Sequence, residues 1–213
     1  MITLAALQAA TRTILANAGE TQYSDDDLTL YLNWALNDFT GYCPKASTVD
    51  FDDEVDGATM VFDLPDNVYS VDVVHVTNTG FIEEYKAMPG VGLPSSNAKL
   101  AYRVRGTQLV FNSAPSNSFT VYYNSYYAKL VEGGSVGVPR WAEEALAHYA
   151  ASSALSGKSA GSASIDQWDQ QWDSGNPEHN PLARMAEQFY ERYIQVVHAH
   201  TQSAEIDTWS PSR

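Results

Sequence analysis

The sequence predicts an α+β fold: a discontinuous helical bundle of four to five helices that carries an inserted small antiparallel β-sandwich or open barrel. Two observations predict it. Helix-period stretches cover residues 3–18, 25–39, 139–156 and 181–200, whereas residues 59–130 alternate with a period of two. The division that follows is a helical body at 1–45 and 138–200, a β module at 58–130 and an extended C-terminal tail at 201–213. A chain of 213 residues can bury a sizeable core in this arrangement without metal or disulfide staples.

The first helix places Leu4, Leu7, Ile14 and Leu15 on one stripe, with Thr3 as its N-cap and Gly19 as its stop. The second has a sharper start. Ser24 is a capping residue, and Asp25, Asp26 and Asp27 occupy the first turn, where the positive end of the helix dipole favours acids. That position accounts for three consecutive carboxylates without catalysis. Leu28, Tyr31, Leu32, Ala35 and Phe39 form its buried stripe.

From residue 59 the period changes. MVFDLP reads as a short strand stopped by Pro65, followed by Tyr69, Val71 and Val73 alternating with Ser70, Asp72 and Val74. The segment LAYRVRGTQLVFN holds a hairpin signal, with Gly106-Thr107 as a two-residue turn between strands 102–105 and 108–111. A last strand points Phe119, Val121 and Tyr123 inward. Residues 86–99, rich in Gly, Pro and Ser, read as an exposed loop.

Pro139 then stands at a favourable first helical position, and Ala142, Ala145, Leu146, Tyr149, Ala150 and Ser153 continue as a stripe of mainly small residues. Small side chains permit close approach of another helix, from the same subunit or a neighbour. A Gly/Ser segment follows, then a short aromatic helix candidate bearing Ile165, Trp168 and Trp172. The last helix uses Leu182, Met185, Phe189, Tyr193, Val196 and Val197. In the tail, Ile206 and Trp209 are apolar residues in polar surroundings, the pattern of a segment that is frayed or docked.

Composition narrows the chemistry. Acidic residues number 26 against 12 basic ones, a formal net charge of −14, which argues against independent nucleic-acid binding because phosphate contact needs clustered Lys and Arg. Between residues 20 and 66 Lys45 is the only cation, an asymmetry that suits a surface repelling polyanions. The N-terminus lacks the basic start of a signal peptide, and no apolar run approaches the ~20 residues of a membrane span, so no membrane association is expected. The single cysteine, Cys43, is expected to be a buried structural thiol.

Each apparent active site fails on context. Asp52-x-Glu54-x-Asp56-Gly57 with Asp63 twelfth follows a calcium-loop count, but Glu54 is long for the third ligand, Asp63 is short for the twelfth, and a strand follows where a helix should. An acidic inter-element loop is the better reading. Gly157-Lys158-Ser159-Ala160-Gly161 spells the hydrolase G-x-S-x-G string, yet a helix rather than a strand precedes it, so it reads as a Gly/Ser loop. The five histidines are scattered: His75 in a strand, His148 on a helix, His179 in a loop, and His198 and His200 two apart on the last helix, where they do not face one site together. No catalytic residue, cofactor site or metal site is expected. Whether two carboxylates stand at glycosidase separation is not visible in sequence.

The order of these elements resembles the head-to-tail connector, or adaptor, proteins of tailed bacteriophages. The residues that carry the likeness are the N-terminal helix pair, the strand stop FDLP, the hairpin YRVRGTQLVF followed by VYYNSYY, the helix start Val138-Pro139-x-Trp141 within VPRWAEEALAHYAASSAL, and the final RMAEQFYERYIQVV. The resemblance implies a structural virion protein that is not an enzyme, a homo-oligomer forming a ring, usually of twelve subunits, between the portal and the tail or nozzle proteins. It implies a lumen through which DNA passes without sequence-specific contact, a place at the head-tail interface of the virion, and assembly in the host cytoplasm. Under it the interface candidates are Trp141, Ala145 and Tyr149 on the small-faced helix, with Ile206 and Trp209 in the tail as a portal-docking arm. Two alternatives stand beside it: a tail-completion or stopper protein of the same particle, and, in a different class, a carbohydrate-binding or carboxylate-dependent hydrolytic protein using the β block.

Overall fold

A computed structural model describes residues 1–20, 22–52, 55–82, 84, 99–166 and 181–207, the last helices' side chains being described outside 159–166 and 202–207. The fold is α+β, with four helices and several antiparallel sheets and no closed barrel among the described residues. Two compact units share the chain: Met1–Cys43 together with Tyr127–Arg213, and Pro44–Tyr126.

The helical unit opens with β1 (Ile2–Thr3), a two-residue strand paired antiparallel with β9 (Ser135–Val136). Helix α1 (Leu4–Asn17) starts where Thr3 Oγ1 accepts the Ala6 N–H, and Gly19, at φ +80°, supplies the left-handed step that ends it. In α2 (Asp25–Tyr42) Ser24 and Asp27 form a reciprocal capping box, the side chain of each accepting the other's backbone N–H. Helix α3 (Ala142–Asp166) is the central element, packed against α1, α2 and α4 (Pro181–Asp207). Its alanines 142, 145, 147, 150, 151 and 154 are wholly buried, and Ser152 Oγ donates to the Ala186 carbonyl of α4 at 2.7 Å. Small residues at these positions let the helices approach closely.

Three expectations about this unit are corrected. Pro139 is not the first helical residue; it accepts the Ala142 N–H at 3.0 Å in a lead-in turn, and α3 begins at Ala142. The string from Gly157 to Gly161 is helical, not a loop, because α3 continues to Asp166. The cost of about 1 kcal/mol for a helical glycine is small beside the packing of the preceding turns, and Lys158 pairs with Glu20 at the end of α1. The tail assigned to 201–213 is helical as far as Asp207, an extension of the amphipathic α4. Trp168 and Trp172 of the aromatic helix candidate, the loop at 86–98 and Trp209 lie outside the described residues.

The β module contains β2 (Lys45–Phe51), β3 (Val61–Asp63), β4 (Val68–Val76), β5 (Gly80–Ile82), β6 (Tyr102–Arg105), β7 (Gln108–Phe111) and β8 (Phe119–Ser125). One sheet has the order β2-β8-β4-β5 and the other β3-β7-β6, each antiparallel throughout. Residues of both sheets share one apolar cluster in which Phe51, Phe62, Phe111 and Phe119 meet with ring centroids 4.8 to 5.7 Å apart. Gly106 sits at φ +59° between β6 and β7 while Thr107 is not left-handed, the requirement of a glycine-first type II′ turn.

Here too the boundaries differ from expectation. The module begins at Pro44 rather than 58, because KASTVDF forms β2, which pairs along its whole length with β8. It ends at Tyr126 rather than 130: Tyr127 belongs to the helical unit, where its hydroxyl donates to the Cys43 carbonyl at 3.0 Å. In β4, irregularities between Val68 and Ser70 and between Val71 and Val73 shift the alternation. Val74 and Val76 are therefore the buried residues, and Tyr69 is exposed.

Candidate interaction surfaces

Among the described residues no group of three or more His, Cys, Asp or Glu is placed to hold a metal ion, and no buried side-chain nitrogen or oxygen lacks a hydrogen-bond partner. The carboxylates of the calcium-like loop have other roles. Asp56 accepts the N–H groups of Ala58 and Thr59 at 2.8 and 2.7 Å, and these bonds hold its carboxyl below the usual range. Gly57 at φ +72° turns the chain there. Asp63 lies on β3 and accepts from Gln108 Nε2 at 2.9 Å. Glu54 is outside the described residues.

Four surface features remain. The first is a groove of about 580 Å3 between α1, the start of α3 and α4, with Ala10, Ile14 and Ala147 as apolar lining and Arg140, Glu143 and His148 among its polar residues. Trp141 forms part of its wall and stacks on His200 at 4.4 Å and 13°. Glu144 is held by Arg192 through Nε and Nη2 at 3.0 and 2.7 Å. Sequence reading scattered the histidines, yet the fold brings His148 and His200 to this one groove; the spacing of Glu144 and His148, four apart on one face of α3, is a local hint of the α3 side of it.

The second feature is the outer stripe of α2. Leu30 and Trp34, one turn apart, are 48% and 50% exposed, and Val131 is 63% exposed. Asn33 clamps the chain at Leu130 from both directions, its Nδ2 donating to the carbonyl at 3.1 Å and its Oδ1 accepting the N–H at 2.8 Å. Val131 is thereby tethered beside α2.

A third is the outer face of the four-stranded sheet. His75 on β4 pairs with Phe81 on β5 and with Thr120 on β8, and the His75 and Phe81 rings meet at 4.9 Å. Phe81 is 64% exposed, and Tyr122 stands 6.5 Å from it. Asp50 accepts from Thr120 at 2.6 Å on the same face. The fourth is a tyrosine cluster on the helical unit. Tyr193 donates to Asp38 Oδ2 at 2.6 Å, surrounded by Tyr42, Tyr149 and Tyr190. Burial, with the Asp38 hydrogen bond and charge, pushes the Tyr193 phenol far up.

The interface candidates divide. Trp141 is half-buried, packed on Phe39 at 5.5 Å as well as on His200. Ala145 is completely buried within the chain's own core, so it has no surface to offer a partner; its small side chain serves intramolecular helix packing. Tyr149 is half-buried and turned into the tyrosine cluster, 5.1 Å from Tyr193 and 6.1 Å from Tyr190. Ile206 lies on the helical backbone of α4, its side chain beyond the description, and Trp209 lies outside the described residues. Leu30 and Trp34 were missed although they fall between the positions of the second helix's apolar stripe, Leu28, Tyr31, Leu32, Ala35 and Phe39; that offset is the signal that could have found them. Cys43 is half-buried at the C-cap of α2, and burial pushes its thiol up.

No protein-family model matches the chain, and no curated protein matches it. No helix among the described residues is long and apolar enough to cross a membrane.

Proposed function

We propose that the chain is a structural, non-enzymatic virion component of a tailed bacteriophage: a ring-forming head-to-tail adaptor that joins the portal to the tail and surrounds the DNA channel. The observation that carries this reading is the interleaved architecture, a helical unit completed by segments from both sides of a β insertion, in the element order of the adaptor resemblance. On this reading the insertion is a small two-sheet sandwich offered to tail or nozzle proteins, and the C-terminal segment with Ile206 and Trp209 docks on the portal. The net charge of −14 supports it physically. A dodecamer sums that charge into an acidic collar, which keeps DNA phosphates from adhering and lets the duplex slide. The protein then acts at the head-tail interface after assembling in the host cytoplasm, with no cofactor. Electron microscopy of the purified protein, alone and with a portal, tests the proposal. A dodecameric ring or a portal complex is expected, and a chain that stays monomeric and never joins a portal overturns it. A stopper in the same particle would instead assemble only on a preformed adaptor ring.

One observation favours a second reading, a carbohydrate-binding protein. The outer sheet face places Phe81, His75 and Tyr122 beside the hydroxyl and carboxylate groups of Thr120 and Asp50, an apolar platform with polar neighbours that suits a sugar ring. A rise in Tm on adding oligosaccharide, lost in Phe81→Ala, would support it, since a ligand that prefers the folded state raises stability.

A further inference from the structure

The exposed ridge on α2 and the groove lined by α1, α3 and α4 lie on different faces of one helical unit. Helices α1, α2 and α4 surround α3, and α2 packs on both of its flanking helices. The groove is lined by residues of α1, α3 with its lead-in turn, and α4, and by none of α2. We propose that the ridge formed by Leu30, Trp34 and Val131 seats in this groove of a second copy of the chain. Such a contact is heterologous: each copy offers a ridge to one neighbour and a groove to another, and repetition closes into a ring when the rotation allows. This inference rests on the ring-subunit reading and assigns the surfaces that would build it.

Charge chooses the occupant. The ridge is bordered by acids: Asp26 precedes Leu30 by one turn on the same stripe, Asp27 adjoins it, and Glu132 follows Val131. On a chain of net charge −14, a second copy meets repulsion over most of its surface. The groove is an exception, because Arg140 and Arg192 offset Glu143 and Glu144 there. Its lining includes the apolar Ala10, Ile14 and Trp141 for a side chain such as Trp34 to pack on, and its exposed Arg140 offers Asp26 a partner. Trp34 has the character of an interface anchor, a large half-exposed aromatic held in orientation by an edge contact with Tyr31 at 5.4 Å.

Sedimentation of the full chain over a concentration series tests the assignment, with circular dichroism to verify that each variant is folded. Trp34→Glu removes the anchor, and Thr13→Trp fills the groove from an exposed position of α1 whose hydroxyl bonds only the Ala9 carbonyl of its own helix. Each is expected to weaken association by at least roughly thirtyfold, the scale of losing a buried aromatic anchor. Asp26→Arg and Arg140→Asp should each weaken it less, and the double reversal should restore it. If the wild type assembles and both Trp34→Glu and Thr13→Trp assemble equally well, the assignment is overturned while the ring reading stands. If Trp34→Glu alone weakens assembly, the ridge meets a different surface and the groove is wrong. A wild type that is monomeric both alone and with a portal removes the inference and the ring reading together.

Discussion

In the helical unit the central helix α3 buries alanines on nearly every side, and a serine hydroxyl reaches a carbonyl of α4 at 2.7 Å. In the β module four phenylalanines from four strands meet in one cluster, their rings 4.8 to 5.7 Å apart. The first core is built largely of small side chains; the second is filled by large ones. The two units should therefore fail in opposite ways, one by gaining volume and the other by losing it. Tryptophan separates their signals, since Trp34 and Trp141 lie in the helical unit and the sequence from Pro44 to Tyr126 contains none.

The largest expected effect is in the module. Phe119, 1% exposed and in contact with Phe51, Phe62 and Phe111, leaves a cavity when cut to alanine, and Phe119→Ala should destabilise the module by about 3–5 kcal/mol in urea unfolding followed by far-ultraviolet circular dichroism. An unchanged tryptophan-fluorescence midpoint would sharpen the comparison into two independently folding units; an equal shift would make them one cooperative unit.

A smaller effect is expected from Ala150→Leu in α3. The site is wholly buried, so added methyl and methylene groups must displace neighbouring helices, at a cost of about 1–3 kcal/mol read by tryptophan fluorescence. A neutral result would break the contrast, because it would place free space where the helices are closest.

The smallest effect near neutrality is a shared one that appears only in alkali. Burial pushes Tyr23 and Tyr127 of the helical unit and Tyr102 of the module up to about 12 from the ordinary value of 10.0. The folded state thus holds these phenolic protons more tightly than the unfolded chain. Their stabilising contribution is fully present below pH 10 and is lost as pH rises through about 12. Both units should weaken over that window, with tyrosinate absorbance rising in step with unfolding. Loss of either unit well below pH 10 would break the parallel.

Much of the local architecture was legible. The capping residue Ser24 before three aspartates marked the start of α2, since side chains and backbone within four residues settle that geometry. The Gly106 turn and the inward set Phe119, Val121 and Tyr123 were readable for the same reason. Strand β2 was missed although Val49 and Phe51 alternate correctly, because the surrounding acids and short apolar content resemble a loop. Its partner β8 stands some seventy residues away. The candidate surfaces were less legible: of the interface candidates on α3, Ala145 proved to be core, and Leu30 and Trp34, though off the apolar stripe of α2, were not singled out as an exposed pair.

By itself the sequence determined the α+β class, the interruption of the helices by strands, the helix and hairpin punctuation, and an acidic net charge of −14. These depend on period, on φ-permissive glycines, on capping chemistry and on charge count, all of which act over short range or sum over the chain. Only the tertiary structure decided that a Gly/Ser string would stay helical, that bulges in β4 would bury Val74 and Val76, that Tyr193 would close on Asp38, and that two histidines of separate helices would share a groove. Those outcomes depend on which surfaces meet. Burial and hydrogen bonding between residues distant in the chain outweigh local propensities of a few tenths of a kcal/mol to about 1 kcal/mol.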